Sequence, residues 1–174
     1  VLKNKPKEHV DVGSTYQMSG YLSKIVPTTF IDIRPINAKL ENLKVLDASI
    51  LNLPYEDNSL ESVSCLHVIE HIGLGRYGDK VDPNGWKKAC KELQRVLAKD
   101  GKLYISVPIG KSKVCFNAHR VFSAEDILET FNELKLLEFS AVDDNGSFMQ
   151  SSGRRYLEKL IIVWECLFLR NREL

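Results

Sequence analysis

The stretch from His67 to Asp79 reads HVIEHIGLGRYGD, with two histidines and a glutamate in five residues and then three glycines in six. Three chemistries compete for it. The H-x-x-E-H spacing holds zinc when a helix sets both rings on one face. Here the first histidine closes an apolar run, LESVSCLHV, and glycine follows the second within two residues. No long helix is available to hold the pair, and no metal is expected. Glycines that cradle phosphate come straight after a strand and open a helix; those of GLGRYGD do neither. The remaining reading is a mobile rim over a pocket.

On that reading Glu70 and His71 stand at the pocket. His71 is a candidate general base, since imidazole accepts a proton near neutral pH. A hydrogen-bonded structural histidine is the competing reading. His119, in NAHRVFS, is a second candidate base, against an exposed loop histidine; its neighbour Arg120 suits an anionic substrate group. Arg76, Tyr77 and Asp79 are within reach of a substrate, or belong to a solvated loop.

The elements that must position these residues are short apolar runs alternating with helical periodicity. EHVDVG (8–13), TTFIDIRP (28–35), LKVLDAS (43–49), LESVSCLHV (60–68) and GKLYISVPI (101–109) read as strands buried on both faces, as in a parallel sheet. In residues 84–101, Trp86, Ala89, Cys90, Leu93, Val96 and Leu97 recur at three- and four-residue steps with charges opposite, which predicts an amphipathic helix ended by Gly101. SAEDILETFNEL (123–134) predicts another, with Ser123 as N-cap and Asp126 completing a capping box. LKLLEFSAVD and EKLIIVWECLFLR predict two closing strands around a long loop, DDNGSFMQSSGRRY. Strand–helix alternation predicts an α/β Rossmann-like three-layer sandwich. Its mostly parallel seven-stranded sheet would carry one antiparallel edge strand, in a single domain over residues 1–174.

Composition narrows the partners. A formal net charge of +1 gives no electrostatic footprint for nucleic acid. No run of about 18 apolar residues appears, so no membrane helix is expected. Neither a secretory signal nor a paired cysteine motif is visible. Cys65, Cys90, Cys115 and Cys166 read as scattered thiols of a reducing, cytoplasmic setting. The chain opens on Val1 rather than Met.

Ligands of open α/β sheets bind at the carboxyl ends of the strands, near the point where strand order reverses. The first strand ends in Asp11, Gly13 and Ser14, the second in Asp32, the third in Asp47 and Ala48, the fourth in Leu66 and His67. A carboxylate at the second tip can accept two hydrogen bonds from a ribose diol. One at the third can accept from a purine amine. A glycine in the first turn lets backbone approach the ligand.

The order VDVGS, FIDIRP, LKVLDASILNLPYEDNSLESVSCLHVIEHI and KELQRVLAKDGKLYISVP resembles the class I S-adenosylmethionine-dependent methyltransferases, in the small-molecule, type 11-like branch. The likeness is good over residues 8 to about 140. It implies S-adenosylmethionine as cofactor, with Asp11, Gly13 and Ser14 bordering its methionine portion and Asp32 on the ribose hydroxyls. Ile33 would lie against the adenine, Asp47 at its amine, Ala48 at its ring edge, and Leu66 and His67 near the sulfonium. It further implies methyl transfer to a small-molecule acceptor, such as a sugar or related metabolite hydroxyl. One feature departs from the family pattern D-x-G-x-G-x-G: Thr15 and Gln17 occupy the second and third glycine places, and Gly20 comes too late to replace them. The alternative is therefore a catalytically inactive binding module of the same fold with a degenerate cofactor loop.

Overall fold

The computed structural model describes residues 1, 5–34, 36–37, 39–115, 118–143, 145–151 and 162–171. Five strands run parallel: β1 (His9–Val12), β2 (Thr28–Asp32), β3 (Leu43–Asp47), β4 (Leu60–Leu66) and β5 (Leu97–Ser106). β1 is central and buried throughout. It pairs with β2 on one side and β4 on the other, so strand order reverses between β1 and β4. The short β6 (Pro108–Gly110) continues from β5, and β7 (Lys113–Val114) and β8 (Arg120–Val121) form a small antiparallel sheet of their own.

The expected seven-stranded, mostly parallel sheet with one antiparallel edge is corrected here. After the five parallel strands the main sheet continues through β11 (Ile162–Asn171), β9 (Leu134–Asp143) and β10 (Phe148–Ser151), each antiparallel to its neighbour, in the order β10–β9–β11–β5–β4–β1–β2–β3. The reason is turn length. β10 folds straight back on β9 through a turn holding Gly146 at φ +80°, and a short hairpin can only give antiparallel neighbours. That strand lies inside the stretch expected to be loop.

The helices are α1 (Tyr16–Leu22), α2 (Gly85–Val96) and α3 (Ala124–Thr130). α2 buries Trp86, Ala89, Cys90, Leu93 and Val96, the face that its periodicity marks. It stops at Val96, five residues before Gly101, because Leu97 is already extended and pairs with Leu60 as the first residue of β5. Gly101 is instead a strand residue beside the register shift between β4 and β5. A Cβ there would lie 2.8 Å from the Ala98 carbonyl oxygen and 2.9 Å from that of Leu60. α3 starts with the expected capping box: Ser123 Oγ accepts from Asp126 N (3.0 Å) and Asp126 Oδ2 accepts from Ser123 N (3.2 Å). α1 was not expected from the sequence.

The core runs from Val10, Val12 and Ile31 through Val63 and Cys65 to Leu93, Leu103 and Ile105. Cys65 and Cys90 are buried free thiols and Cys115 is partly exposed; Cys166 lies on β11, outside the described side chains. Among the described residues no helix is long and apolar enough to cross a membrane.

Because two backbone carbonyl oxygens lie under 3 Å from that Cβ position, with Leu97 Cδ1 at 3.1 Å, Gly101→Ala is expected to cost about 1–3 kcal/mol of stability by overpacking. A urea midpoint equal to that of the wild type would show that the β4–β5 bulge relaxes freely.

Candidate functional site

Below the strand tips lies a buried polar network. Asp11 on β1 is fully buried and accepts three hydroxyl hydrogen bonds: from Ser14 (2.6 Å), Ser19 (2.6 Å) and Ser64 (2.5 Å). Ser14 Oγ accepts in turn from Leu66 N at 2.9 Å. One carboxylate thus ties the β1–α1 turn to α1 and to β4. Burial raises the Asp11 carboxyl above its ordinary range, while the three hydroxyl bonds pull it back. Ser64 gives its proton to Asp11, so it accepts from Nε2–H of His9 (2.9 Å), and Nδ1 of His9 accepts from Ser62 Oγ–H (2.8 Å). His9 is therefore neutral, and burial lowers its pKa to about 4.

Above this network a cavity of about 730 Å³ opens at the carboxyl ends of β1 to β4, the place where strand order reverses. Gly13 lines it, at φ +69°, with its N–H spent on the Ile31 carbonyl (2.7 Å). Asp32 lines it from the β2 tip, with a side chain 16% exposed. Its Oδ1 accepts from Arg34 N at 2.7 Å; among the described residues nothing reaches Oδ2. Ile33 on one side and Ala48, Ile50 and Leu51 on the other make apolar walls. Thr15 and Gln17, which stand in glycine places, are exposed and are not on the cavity wall.

The far wall begins at His67, which takes φ +57°, a conformation costly for a residue with a side chain. This sharp bend leads into one 3₁₀ turn, Ile69–His71. His71 faces the cavity. Its Nδ1 lies 2.9 Å from the Ala118 carbonyl oxygen, which can only accept, so Nδ1 carries the proton and Nε2 the lone pair. The rim then closes as a tight loop. Asp79 Oδ2 accepts from Gly73 N (2.6 Å), and Asp82 N donates to the Gly73 carbonyl (3.0 Å). A Cβ on Gly73 would fall 2.1 Å from the Asp82 carbonyl oxygen, so only glycine fits there. Two guanidinium groups pack on Tyr77, Arg34 at 4.4 Å and Arg76 at 5.3 Å from the ring centre.

Of the sequence-predicted site residues, Gly13, Asp32, Ile33, Ala48, His67 and His71 meet on this wall, with Tyr77 and Asp79 of the rim. Five others stand elsewhere. Asp11 and Ser14 lie beneath the wall, bonded to each other. Leu66 is held to Ser14 through its backbone N–H. Asp47 sits beside Asp32 in the sheet register but is exposed and off the wall. Ser49 lines the wall nearby, with its neighbours Ala48, Ile50 and Leu51. His119 lies off the wall, ring to ring with His71 at 6.3 Å. Arg120 is buried and donates to the Ile72 carbonyl at 2.5 Å, so it braces the rim rather than holding a substrate anion. Among the described residues no group of three or more His, Cys, Asp or Glu side chains is placed to hold a metal ion.

Residues 29–162, well over half of the chain, match the family described as Caenorhabditis protein of unknown function, DUF268. The chain belongs to the DUF268 family. It is also 27% identical to an uncharacterized protein of Methanocaldococcus jannaschii, over 90% of this chain and 67% of that one. Among solved structures, the (4+2)-cyclase SpnF superposes with a TM-score of 0.67 at 14% identity, covering 94% of this DUF268 chain and 74% of the cyclase. The 1,6-didemethyltoxoflavin-N1-methyltransferase of Burkholderia thailandensis, solved with its substrate and S-adenosylhomocysteine, superposes at 0.65 and 12% identity, covering 98% and 73%. Further methyltransferases share the architecture at TM-scores from 0.61 to 0.67. The fold is that of the class I S-adenosylmethionine-dependent methyltransferases, built on a parallel central sheet.

The neutral state of His9 has a consequence with a definite sign. In the unfolded chain the ring gains a proton as pH falls through 6.5, whereas the folded protein resists until about pH 4. Stability is therefore full above pH 6.5 and lost between 6.5 and 4, about 2 kcal/mol of it by pH 5; Asp11, shifted upward, acts in the opposite sense and offsets part. The His9→Gln variant should show a shallower acid loss in urea midpoints than the wild type. An NMR titration of His9 with a midpoint near 6.5 would contradict the network.

Proposed function

We propose that this chain binds S-adenosylmethionine in the cavity and transfers its methyl group to a hydroxyl of a small acceptor. The observation that carries the reading is the Asp32 carboxylate. It stands at the β2 tip with one oxygen unclaimed among the described residues, beside a slot with apolar walls. That set suits a nucleoside: a diol donates to the carboxylate, and a flat base lies between Ile33 and the Ala48–Leu51 segment. Ser49 offers a hydroxyl where Asp47 had been expected. When bound, S-adenosylmethionine supplies a methyl group already activated by its sulfonium. Gly13, His67 and Val68 border the space between the nucleoside slot and the rim, and the rim residues enclose the acceptor.

His71 fits the role of base. Its proton is held on Nδ1 by the Ala118 carbonyl, which leaves the Nε2 lone pair to take the acceptor's proton. Positioning of donor and acceptor does most of the work in such a displacement, and a base adds roughly 10²–10⁴-fold. His119, edge-on to His71, is the second candidate. The near-neutral charge supports a small acceptor over nucleic acid. The methyltransferases of the same fold, two of them crystallised with S-adenosylhomocysteine, support the cofactor class.

A second reading is supported by two observations: the first turn lacks the family's later glycines, and SpnF, a (4+2)-cyclase, has the same architecture. On it the cavity binds a ligand without methyl transfer.

Millimolar S-adenosylmethionine or S-adenosylhomocysteine is expected to raise the melting temperature. Asp32→Ala should weaken S-adenosylhomocysteine by about 1–3 kcal/mol in calorimetry, the worth of hydrogen bonds to a charged group. Absence of any thermal shift sinks the first reading. A shift that Asp32→Ala leaves untouched removes Asp32 from the ribose.

A further inference from the structure

We propose that Glu70 is a positioning residue of this site: its buried carboxylate holds His67 on one side and faces Nε2 of His71 on the other, keeping both rings set on the cavity wall. The proposal rests on the reading of His71 as the base.

Glu70 is only 2% exposed, yet it lies in the single 3₁₀ turn between two histidines that both line the cavity. Its Oε1 accepts from His67 Nδ1 at 3.1 Å and stands 3.9 Å from His71 Nε2. Its Oε2 is buried and has no hydrogen-bond partner among the described residues. A buried carboxylate is costly unless something offsets it. Here the chain accepts a second cost as well, the left-handed backbone at His67, which brings that ring against Glu70. Ser106 Oγ fixes the outer face of the His67 ring, 2.6 Å from Nε2. The result is a line of groups, Ser106–His67–Glu70–His71–Ala118, with one anion at its centre.

That anion explains what the line does during transfer. The acceptor oxygen bonds to the methyl carbon and loses its proton to Nε2 of His71; the electron pair of the broken O–H bond stays on oxygen, and that of the methyl–sulfur bond stays on sulfur. His71 then carries N–H on both nitrogens. The new one points to the acceptor oxygen that gave it, with the Glu70 carboxylate 3.9 Å from the same nitrogen, and the old one remains on the Ala118 carbonyl. Glu70 thus gives the imidazolium a partner at the moment it forms, without touching the acceptor.

Other charged or titratable groups surround His71. Tyr77 packs edge-on at 5.6 Å and His119 at 6.3 Å. Arg76 donates to the same Ala118 carbonyl (2.8 Å), and Arg120 to the Ile72 carbonyl. Asp79 and Asp82 close the rim at Gly73. Both of these guanidinium groups donate to backbone carbonyls, whereas the Glu70 carboxylate lies 3.9 Å from His71 Nε2.

The test is NMR titration of the histidine rings in the full chain. Glu70→Gln keeps the shape and removes the charge, and is expected to lower the His71 midpoint by about one pH unit, a tenfold loss of proton affinity. Glu70→Asp should restore part of it. An unchanged His71 midpoint in Glu70→Gln overturns the proposal. Should Glu70→Gln not fold, the wild type decides: ring ¹⁵N shifts must show neutral His71 with its proton on Nδ1, and the opposite tautomer overturns the proposal equally. Neither readout needs a cofactor. Failure of the wild-type chain to bind S-adenosylhomocysteine would defeat the methyl-transfer reading and leave the ring chemistry standing.

Discussion

Three hydroxyl groups converge on the carboxylate of Asp11, and the geometry of the cavity floor follows from that convergence. The first turn of this architecture has to bend sharply from β1 into α1 beneath the ligand. With Thr15 and Gln17 in glycine places, backbone freedom alone cannot set the bend. Ser14 and Ser19 set it instead, each bonded to a different oxygen of Asp11, while Ser64 and the Leu66 N–H draw β4 to the same point. Hydrogen bonds to a charged or buried acceptor are among the stronger ones, and leaving any of these groups unpaired would carry a desolvation cost. Thr15 and Gln17 can therefore point outward, and the cavity stays open. The neutral His9 ring extends the same network through Ser64 to Ser62.

A second constraint joins the two halves of the cavity. Arg34 donates its backbone N–H to Asp32 at the β2 tip and lays its guanidinium on Tyr77 of the rim. Arg76 covers Tyr77 from another direction and reaches the Ala118 carbonyl, the acceptor that also fixes His71. The β2 tip and His71 are thus linked through one tyrosine ring. The rim is a latched loop, held by Asp79 and by the close approach at Gly73, and its glycines serve that closure instead of cradling phosphate.

Much of this was legible in the residues, and the misses have physical causes. β1, β2 and β4 stood out because burial on both faces makes them nearly continuous apolar runs, whereas β3, expected to be buried likewise, is the sheet edge and has no fully buried residue. The face of α2 was readable from its period, but its end was not: Leu97 satisfies a helical repeat and a strand equally well, and pairing with Leu60 decided the matter. α1 escaped because its sequence, YQMSGYL, has mixed polarity and contains glycine. β10 escaped although Asn145–Gly146 is a hairpin signal, because the flanking residues are polar and its partner strand comes before it. At the site, position along a strand identified Asp32, but the same rule failed for Asp47. The chain turns directly after β3, and there the wall is made by Ala48, Ser49, Ile50 and Leu51. Arg120 looked like a substrate anchor because charge alone says nothing about which carbonyl a guanidinium will meet.

The architecture by itself does not choose a chemistry. A cyclase and several methyltransferases share it with this DUF268 chain at low identity. The choice must come from side chains on the wall, and two of them restrict it. Asp32 presents a carboxylate oxygen that only a donor can satisfy, next to apolar surface, which suits a sugar diol carrying a flat ring better than an anion. His71 presents a lone pair whose direction is imposed from behind by a backbone carbonyl, which suits removal of a proton better than its delivery. A donor-bearing nucleoside at one end and a proton-losing acceptor at the other describe a group transfer in which the acceptor becomes the nucleophile. On the proposed reading, that pairing, set up by residues 39 positions apart on β2 and past β4, favours methyl transfer over simple binding in this cavity.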